Sequence, residues 1–171
     1  ADFLLQPMAS VADGLSCAIA GFRLIDVTSE HGTVARGICK VEGGLLQSVE
    51  ETTSIQRNGT GFEGLGSAGR AVSLTGDETA SMNMWAFPQH FFGELEKGLK
   101  TFGETAGDLQ TEEFYLPAAV DAMIQEGKGT VRSFQAKGPW MGITYQKDRS
   151  FVVEKLNQLV AAGAYPERLW D

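Results

Sequence analysis

Val34-Ala35-Arg36-Gly37-Ile38-Cys39-Lys40-Val41 and Leu45-Leu46-Gln47-Ser48-Val49-Glu50-Glu51-Thr52-Thr53-Ser54-Ile55, with Gly43-Gly44 between them, decide how this chain folds. Both stretches are β-prone, and a Gly-Gly pair takes the positive φ angles of a tight turn without a Cβ clash. The segment predicts a β-hairpin. Upstream, Ser16 to Ile25 is a nearly continuous run of small and apolar residues between polar turns, which predicts a strand buried on both faces. Downstream, Gly59 to Gly76 is rich in glycine and serine with little periodicity, so it predicts an irregular excursion or a weak edge hairpin. Thr79 to Phe87 returns to a buried strand and is stopped by Pro88.

Farther out, apolar residues recur at helical spacing. Phe91, Phe92, Leu95, Leu99 and Phe102 predict one helix, and Phe114 to Glu126 a second, with Pro117 in its first turn and Gly127 as a left-handed cap. Thr130 to Phe134 and Trp140 to Tyr145 read as short strands. A last helix, Lys147 to Ala162, places Phe151, Val152, Leu156, Leu159 and Val160 on its inner side and ends at Gly163. Asp2 to Met8 reads as the end of another helix, stopped near Pro7. Strands interleaved with helices, plus one hairpin, predict an α/β domain: a mixed β-sheet with flanking helices.

The 171 residues, 43% hydrophobic and 21% charged, suit one globular domain over 1–171. A net charge of -8 with only 14 Lys and Arg argues against a nucleic-acid partner, which needs concentrated positive charge. No apolar run approaches the ~20 residues that cross a bilayer, and no signal-like start is present, so a membrane partner is not expected. Cys17 and Cys39 each lie in an apolar run, which predicts buried free thiols and a cytoplasmic setting. Asn58-Gly59-Thr60 is then an ordinary turn rather than a glycosylation site.

Several phrases carry candidate chemistry. Ser29-Glu30-His31-Gly32 follows a buried strand, where α/β proteins often place ligands, and a glycine there lets a backbone amide approach closely. His31 has no Cys or Ser partner in a nucleophile motif, so no catalytic residue is assigned. Glu50 and Glu51 are strand neighbours pointing to opposite faces, so one of them alone can face a pocket and accept hydrogen bonds from two hydroxyls. Ser81, Asn83 and Trp85 alternate with Met82, Met84 and Ala86, predicting one polar or aromatic face and one core face. Asn83 offers donors and an acceptor to a polyol or amide, and Trp85 and Trp140 supply flat walls for a sugar ring.

Taken in order, Gly21-Phe22-Arg23-Leu24, Ser29 to Gly37, Val49 to Thr53, Ser81 to Trp85, Glu113-Phe114-Tyr115-Leu116-Pro117, Gly138-Pro139-Trp140-Met141-Gly142 and Ala164 to Trp170 resemble a bacterial nucleotidyltransferase family related to the sugar-1-phosphate nucleotidylyltransferases. The resemblance spans about Ala1 to Trp170. It implies the C-terminal half of a Rossmann-like, GT-A-like nucleotidyltransferase fold, a fragment lacking the N-terminal nucleotide-binding part and inactive by itself. In such enzymes a sugar phosphate attacks the α-phosphorus of a nucleoside triphosphate and releases pyrophosphate, with Mg²⁺ neutralising charge.

By that resemblance, Gly32 meets the acceptor through its backbone, Glu51 accepts from acceptor hydroxyls, and Asn83 lines the same pocket; Glu30, His31, Trp85 and Trp140 complete the candidate substrate-binding set. Two departures stand out. Gly142 occupies the place of a metal-binding aspartate, and Thr52 that of a basic residue beside the glutamate. The other metal-binding aspartate falls upstream of Ala1, with Asp148 a candidate substitute, so the metal ligands stay unassigned. These departures suit a rival reading, a non-catalytic binding or assembly module. Half a doubly wound sheet would also leave an apolar edge, predicting a homo-oligomer.

Overall fold

Gly43 and Gly44 both adopt positive φ, 59° and 80°, and fold β2 (Val34–Glu42) back along β3 (Leu45–Asn58), with Gly37 opposite Glu51 and Cys39 opposite Val49. The structure, a computed structural model, describes residues 14–137, 140–143 and 145–168; the helix end expected at Asp2 to Met8 lies outside these. The hairpin is one wall of a closed ring. β1 (Leu15–Arg23) runs antiparallel to β6 (Thr79–Ala86) on one side and parallel to β7 (Gly129–Gln135) on the other. β6 then pairs with β2, and β7 meets β3, giving the order β2-β6-β1-β7-β3 and back to β2. The last joint is short: Leu45 stands opposite Arg132, and the Ser133 N–H donates to the Gly44 carbonyl at 2.9 Å.

This closure overturns the α/β expectation. The described residues form a mostly β structure, a five-stranded barrel within seven strands, with three α-helices. It is neither a mixed sheet with flanking helices nor the C-terminal half of a Rossmann-like, GT-A-like fold. Such a sheet grows by parallel strands joined through crossover helices, and among the described strands only the β1–β7 pair is parallel. Apolar runs look alike whether a strand is buried beneath helices or in a barrel wall, so periodicity could not separate the two.

β3 is 14 residues long and serves two units. Around Ser54, whose φ is 53°, its register slips: Thr53 already pairs with β4 (Gly61–Leu65), Ile55 still pairs with β2, and Gln56, Arg57 and Asn58 pair with β4, which pairs with β5 (Ala71–Leu74). Of the two expectations for Gly59 to Gly76, the edge hairpin rather than the irregular excursion describes it: β4 and β5 pair antiparallel at the end of the strand order, forming an arm. Buried Phe62 roots it in the core, and Glu50 holds the β4–β5 connection, accepting from the Ser67 N–H at 2.7 Å and from Arg70 Nη2 at 3.1 Å. These bonds hold the Glu50 carboxyl below the usual glutamate range, the Ser67 contacts foremost. Asn58-Gly59-Thr60 supplies the β3–β4 turn.

β6 departs from simple alternation as well. Asn83 has φ 55° inside the strand, and the pairing to β1 shifts between Ile19 and Gly21, so four residues of β6 cover two of β1. The bulge leaves Met84 exposed and Ser81 buried, the reverse of the expected faces.

Side chains on opposite faces of the ring strands feed two core clusters. Cys17, Ile19, Cys39 and Val49 pack with Phe91 of α1 (Phe91–Thr105) and with Val120 and Met123 of α2 (Leu116–Gln125). Val34, Ile55 and Ala80 pack with Phe62 and with Leu24 and Val27 of a 3-10 turn. α2 is fastened to β3 by Asp121, which accepts from the Val49 N–H at 3.0 Å. Both thiols are buried and unpaired, and burial pushes Cys17 up to about 11 and Cys39 up to about 12.

The C-terminal segment differs most from expectation. Residues 140–143 form no strand, and α3 (Asp148–Ala161) has no buried residue, so its apolar stripe is not an inner side. No described helix is long and apolar enough to cross a membrane.

Candidate functional site

After the 3-10 turn the chain enters the tight 29–33 loop, where the His31 N–H donates to Ser29 Oγ at 3.0 Å. The segment leading into α3 clamps this loop. Tyr145 Oη donates to the Thr33 carbonyl at 2.9 Å, and the Tyr145 ring fills the space that a Cβ on Gly32 would need. Asp148 accepts from the Tyr145 N–H at 2.8 Å and stands 3.7 Å from His31 Nε2. Gly32 thus makes room for a tyrosine of its own chain; the resemblance had it meet a ligand.

Between loop and clamp lies a cleft of about 620 Å³. Arg36 enters it from β2, donating through Nε and Nη2 to the Val27 carbonyl at 2.9 and 2.6 Å and through Nη1 to Ala35 at 2.7 Å. Its guanidinium lies 5.3 Å from the centroid of the Trp140 ring. Burial lowers its pKa, and the Glu51 charge props it up. Trp140 folds back over Gly142, where an added Cβ would run into the indole. Arg57 reaches the cleft from the arm end of β3, resting on the Phe62 face at 4.9 Å. Of the seven residues singled out in the sequence, this cleft gathers Glu30, His31 and Trp140.

A second group sits on the barrel wall. Glu51, Gly37 and Ser81 face one another across β3, β2 and β6. Having no side chain, Gly37 leaves a slot in which Glu51 Oε2 is 3.7 Å from the place of a Cβ. Burial raises the Glu51 pKa and the Arg36 charge pulls it partway back. Glu51 is half-buried and accepts no hydrogen bond from a described residue, yet no described polar side-chain atom is both fully buried and unpaired, so its carboxylate opens outward. Two residues past Ser81, Asn83 is exposed; its N–H donates to Ser81 Oγ at 3.2 Å and its Oδ1 accepts from Trp85 Nε1 at 3.4 Å. That leaves the carboxamide NH₂ uncommitted among the described residues. Tyr115, whose pKa is raised by Glu113 first and also by Glu51, stands near this wall.

The seven predicted residues therefore fall into two groups, with Gly32 under the clamp and Arg36 electrostatically linking the cleft to Glu51. Arg36, Arg57 and Tyr145 were not singled out in the sequence. A lone arginine inside an apolar strand is a signal that could have marked Arg36, whereas exposed Arg57 has none.

The described residues do not fit a protein-built magnesium site. No three His, Cys, Asp or Glu side chains among them converge, Trp140 fills the space beside Gly142, and Asp148 is engaged with His31 and Tyr145. A scan against models of known protein families finds no match, and a search of curated proteins finds no significant relative.

Proposed function

We propose that this chain is the acceptor-binding portion of a cytoplasmic nucleotidyltransferase that uses a nucleoside triphosphate and a sugar phosphate or similar small phosphorylated acceptor. The observation that carries the acceptor half is Glu51. A half-buried carboxylate that accepts from no described residue of its own chain and opens outward has both oxygens available to a ligand. Vicinal hydroxyls of a polyol supply two donors to the two oxygens, and each bond to the charged group is worth about 1.5–3 kcal/mol. Asn83, exposed on β6 two residues past Ser81, has an uncommitted NH₂ that would donate to a third oxygen of the same ligand.

The transfer half is supported by the ordered phrases that resemble the nucleotidyltransferase family. In that reaction an acceptor phosphate oxygen forms a bond to the α-phosphorus, the α–β anhydride bond breaks, and pyrophosphate leaves. The role of this chain is to hold the acceptor still, which removes entropy from the barrier. No step is routed through Mg²⁺.

Isothermal titration with a panel of sugar phosphates tests the reading. Binding by the unaltered chain, weakened about tenfold or more in Glu51→Gln, is expected. Absence of heat with every acceptor, together with no pyrophosphate release by the parent protein, sinks it. The rival reading, a non-catalytic binding module, is favoured by Trp140 occupying the space beside Gly142. Acceptor binding without any pyrophosphate release by the parent would select that alternative.

A further inference from the structure

We propose that Arg36 is a positioning residue for the Glu51 site: from the opposite face of the barrel wall it supplies the counter-charge that keeps the Glu51 carboxylate ionised, the form that accepts from acceptor hydroxyls. The inference rests on the reading of Glu51 as the acceptor-binding carboxylate. Glu51 stands opposite Gly37 and Arg36 opposite Thr52, and successive strand residues point to opposite sides of a sheet. The two cores agree with this. Val49, two residues before Glu51, packs in the cluster that holds Val120 and Met123, whereas Val27 and Trp140, the contacts of the Arg36 guanidinium, pack with Val34 and Ile38 in the other cluster.

No direct ion pair joins the two among the described residues, so their attraction runs through the wall. The wall is thin there. Gly37, the chain neighbour of Arg36, has no side chain, and Glu51 Oε2 lies 3.7 Å from where its Cβ would stand. Backbone between two charges screens them less than water does, so the coupling reaches across the sheet. Nor is the arginine free to turn away. Nε and Nη2 are held by the Val27 carbonyl at 2.9 and 2.6 Å and Nη1 by Ala35 at 2.7 Å, with the Trp140 ring 5.3 Å from the guanidinium. A charge fixed before the acceptor arrives needs no ordering on binding. The directions are mutual: burial raises Glu51 and Arg36 pulls it back, while burial lowers Arg36 and Glu51 props it up.

The other groups around Glu51 do not supply this charge. Tyr115 and Glu113, from the segment before α2, bring no cation, and the two carboxylates push the Tyr115 hydroxyl up, Glu113 first. Asp121 of α2 is committed to the Val49 N–H. On β6, Ser81 and Asn83 are uncharged, and farther along β2 Lys40 is paired with Glu42. Glu50, next to Glu51 but on the other face, is taken by Ser67 and Arg70.

Carbon-13 NMR of the Glu51 carboxyl in the full chain, followed against pH, tests the pair without any ligand. Arg36→Gln is expected to move the Glu51 midpoint upward by about half a pH unit or more, and Arg36→Lys, which keeps the charge, to move it much less. An unmoved midpoint in Arg36→Gln, or an equal rise in Arg36→Lys, overturns the proposal. If Arg36→Gln does not fold, the Arg36 Nε–H resonance decides: in the unaltered chain it is expected to step at the Glu51 midpoint, and in Glu51→Gln to lose that step. A missing step, or one that survives Glu51→Gln, overturns the pair. Titration with sugar phosphates then reads the consequence. On the acid side of the Glu51 midpoint, Arg36→Gln is expected to bind about threefold or more weaker, the same half pH unit read as affinity, and to recover as pH rises. An equal loss at every pH makes the part of Arg36 merely structural and overturns the positioning role. No binding by any acceptor, with the midpoint still moved in Arg36→Gln, sinks the reading of the site and leaves the charge pair standing.

Discussion

Phe91 and Phe151 are both aromatic residues in the first turn of a helix, yet one is 1% exposed and the other 55%. Phe91 meets Phe87 in a parallel stack with centroids 4.0 Å apart, above a cluster that includes Ile19, Val120 and Val131. Phe151 has no such floor, because the ring of strands uses its inner and outer faces elsewhere. Helical periodicity thus reports an apolar stripe; what stands opposite decides whether the stripe is a core. α3 is held to the barrel by point contacts, Tyr145 to Thr33 and Asp148 to His31, and α2 by a buried interface.

The largest expected effect breaks this contrast directly. Phe91→Ala should cost about 3–5 kcal/mol in urea unfolding, the range for deleting a buried aromatic ring, whereas Phe151→Ser should stay within about 0.5 kcal/mol. Equal losses would mean that α3 has a packed partner after all. A smaller effect sharpens the nature of the clamp. Gly32→Ala sets a Cβ against the Tyr145 ring, and such crowding costs about 1–3 kcal/mol. Faster amide exchange over α3, with the barrel strands unaffected, is the expected signature; unchanged exchange would show that Tyr145 is not the attachment.

The smallest effect concerns the barrel wall. Burial raises Glu51 above its ordinary value of 4.5, so its ionisation destabilises the folded chain, and the penalty grows as pH rises from the unfolded value through the folded one. Because the group is half exposed and Arg36 offsets part of the penalty, Glu51→Gln should raise Tm at pH 7 by only about 1–3 °C. The gain should vanish below pH 4.5. A gain that persists in acid would assign the effect to packing rather than charge.

The local elements were largely legible. Gly43-Gly44 between β-prone runs marked the hairpin, and Pro117 and Gly127 bracketed α2. Closure was not, because its last joint is one register pair, Leu45 with Arg132, and the Ser133 to Gly44 hydrogen bond, between residues far apart in the chain. The bulge at Asn83 likewise hid behind an alternation that reads cleanly on paper. At the sites, Glu30, His31 and Trp140 were picked out and do meet in one cleft. Their assignment to the same pocket as Glu51 and Asn83 came from an open-sheet picture that the closed ring does not share. Arg57 escaped notice because a basic residue near a strand end is the commonest kind of solvated side chain.

β3 belongs to the barrel at its first half and to the arm at its end, and the two memberships overlap around Ser54, where Thr53 pairs with β4 and Ile55 with β2. Ser54, with its positive φ, therefore lies where two units share one strand, so strain placed there is transmitted to barrel and arm together.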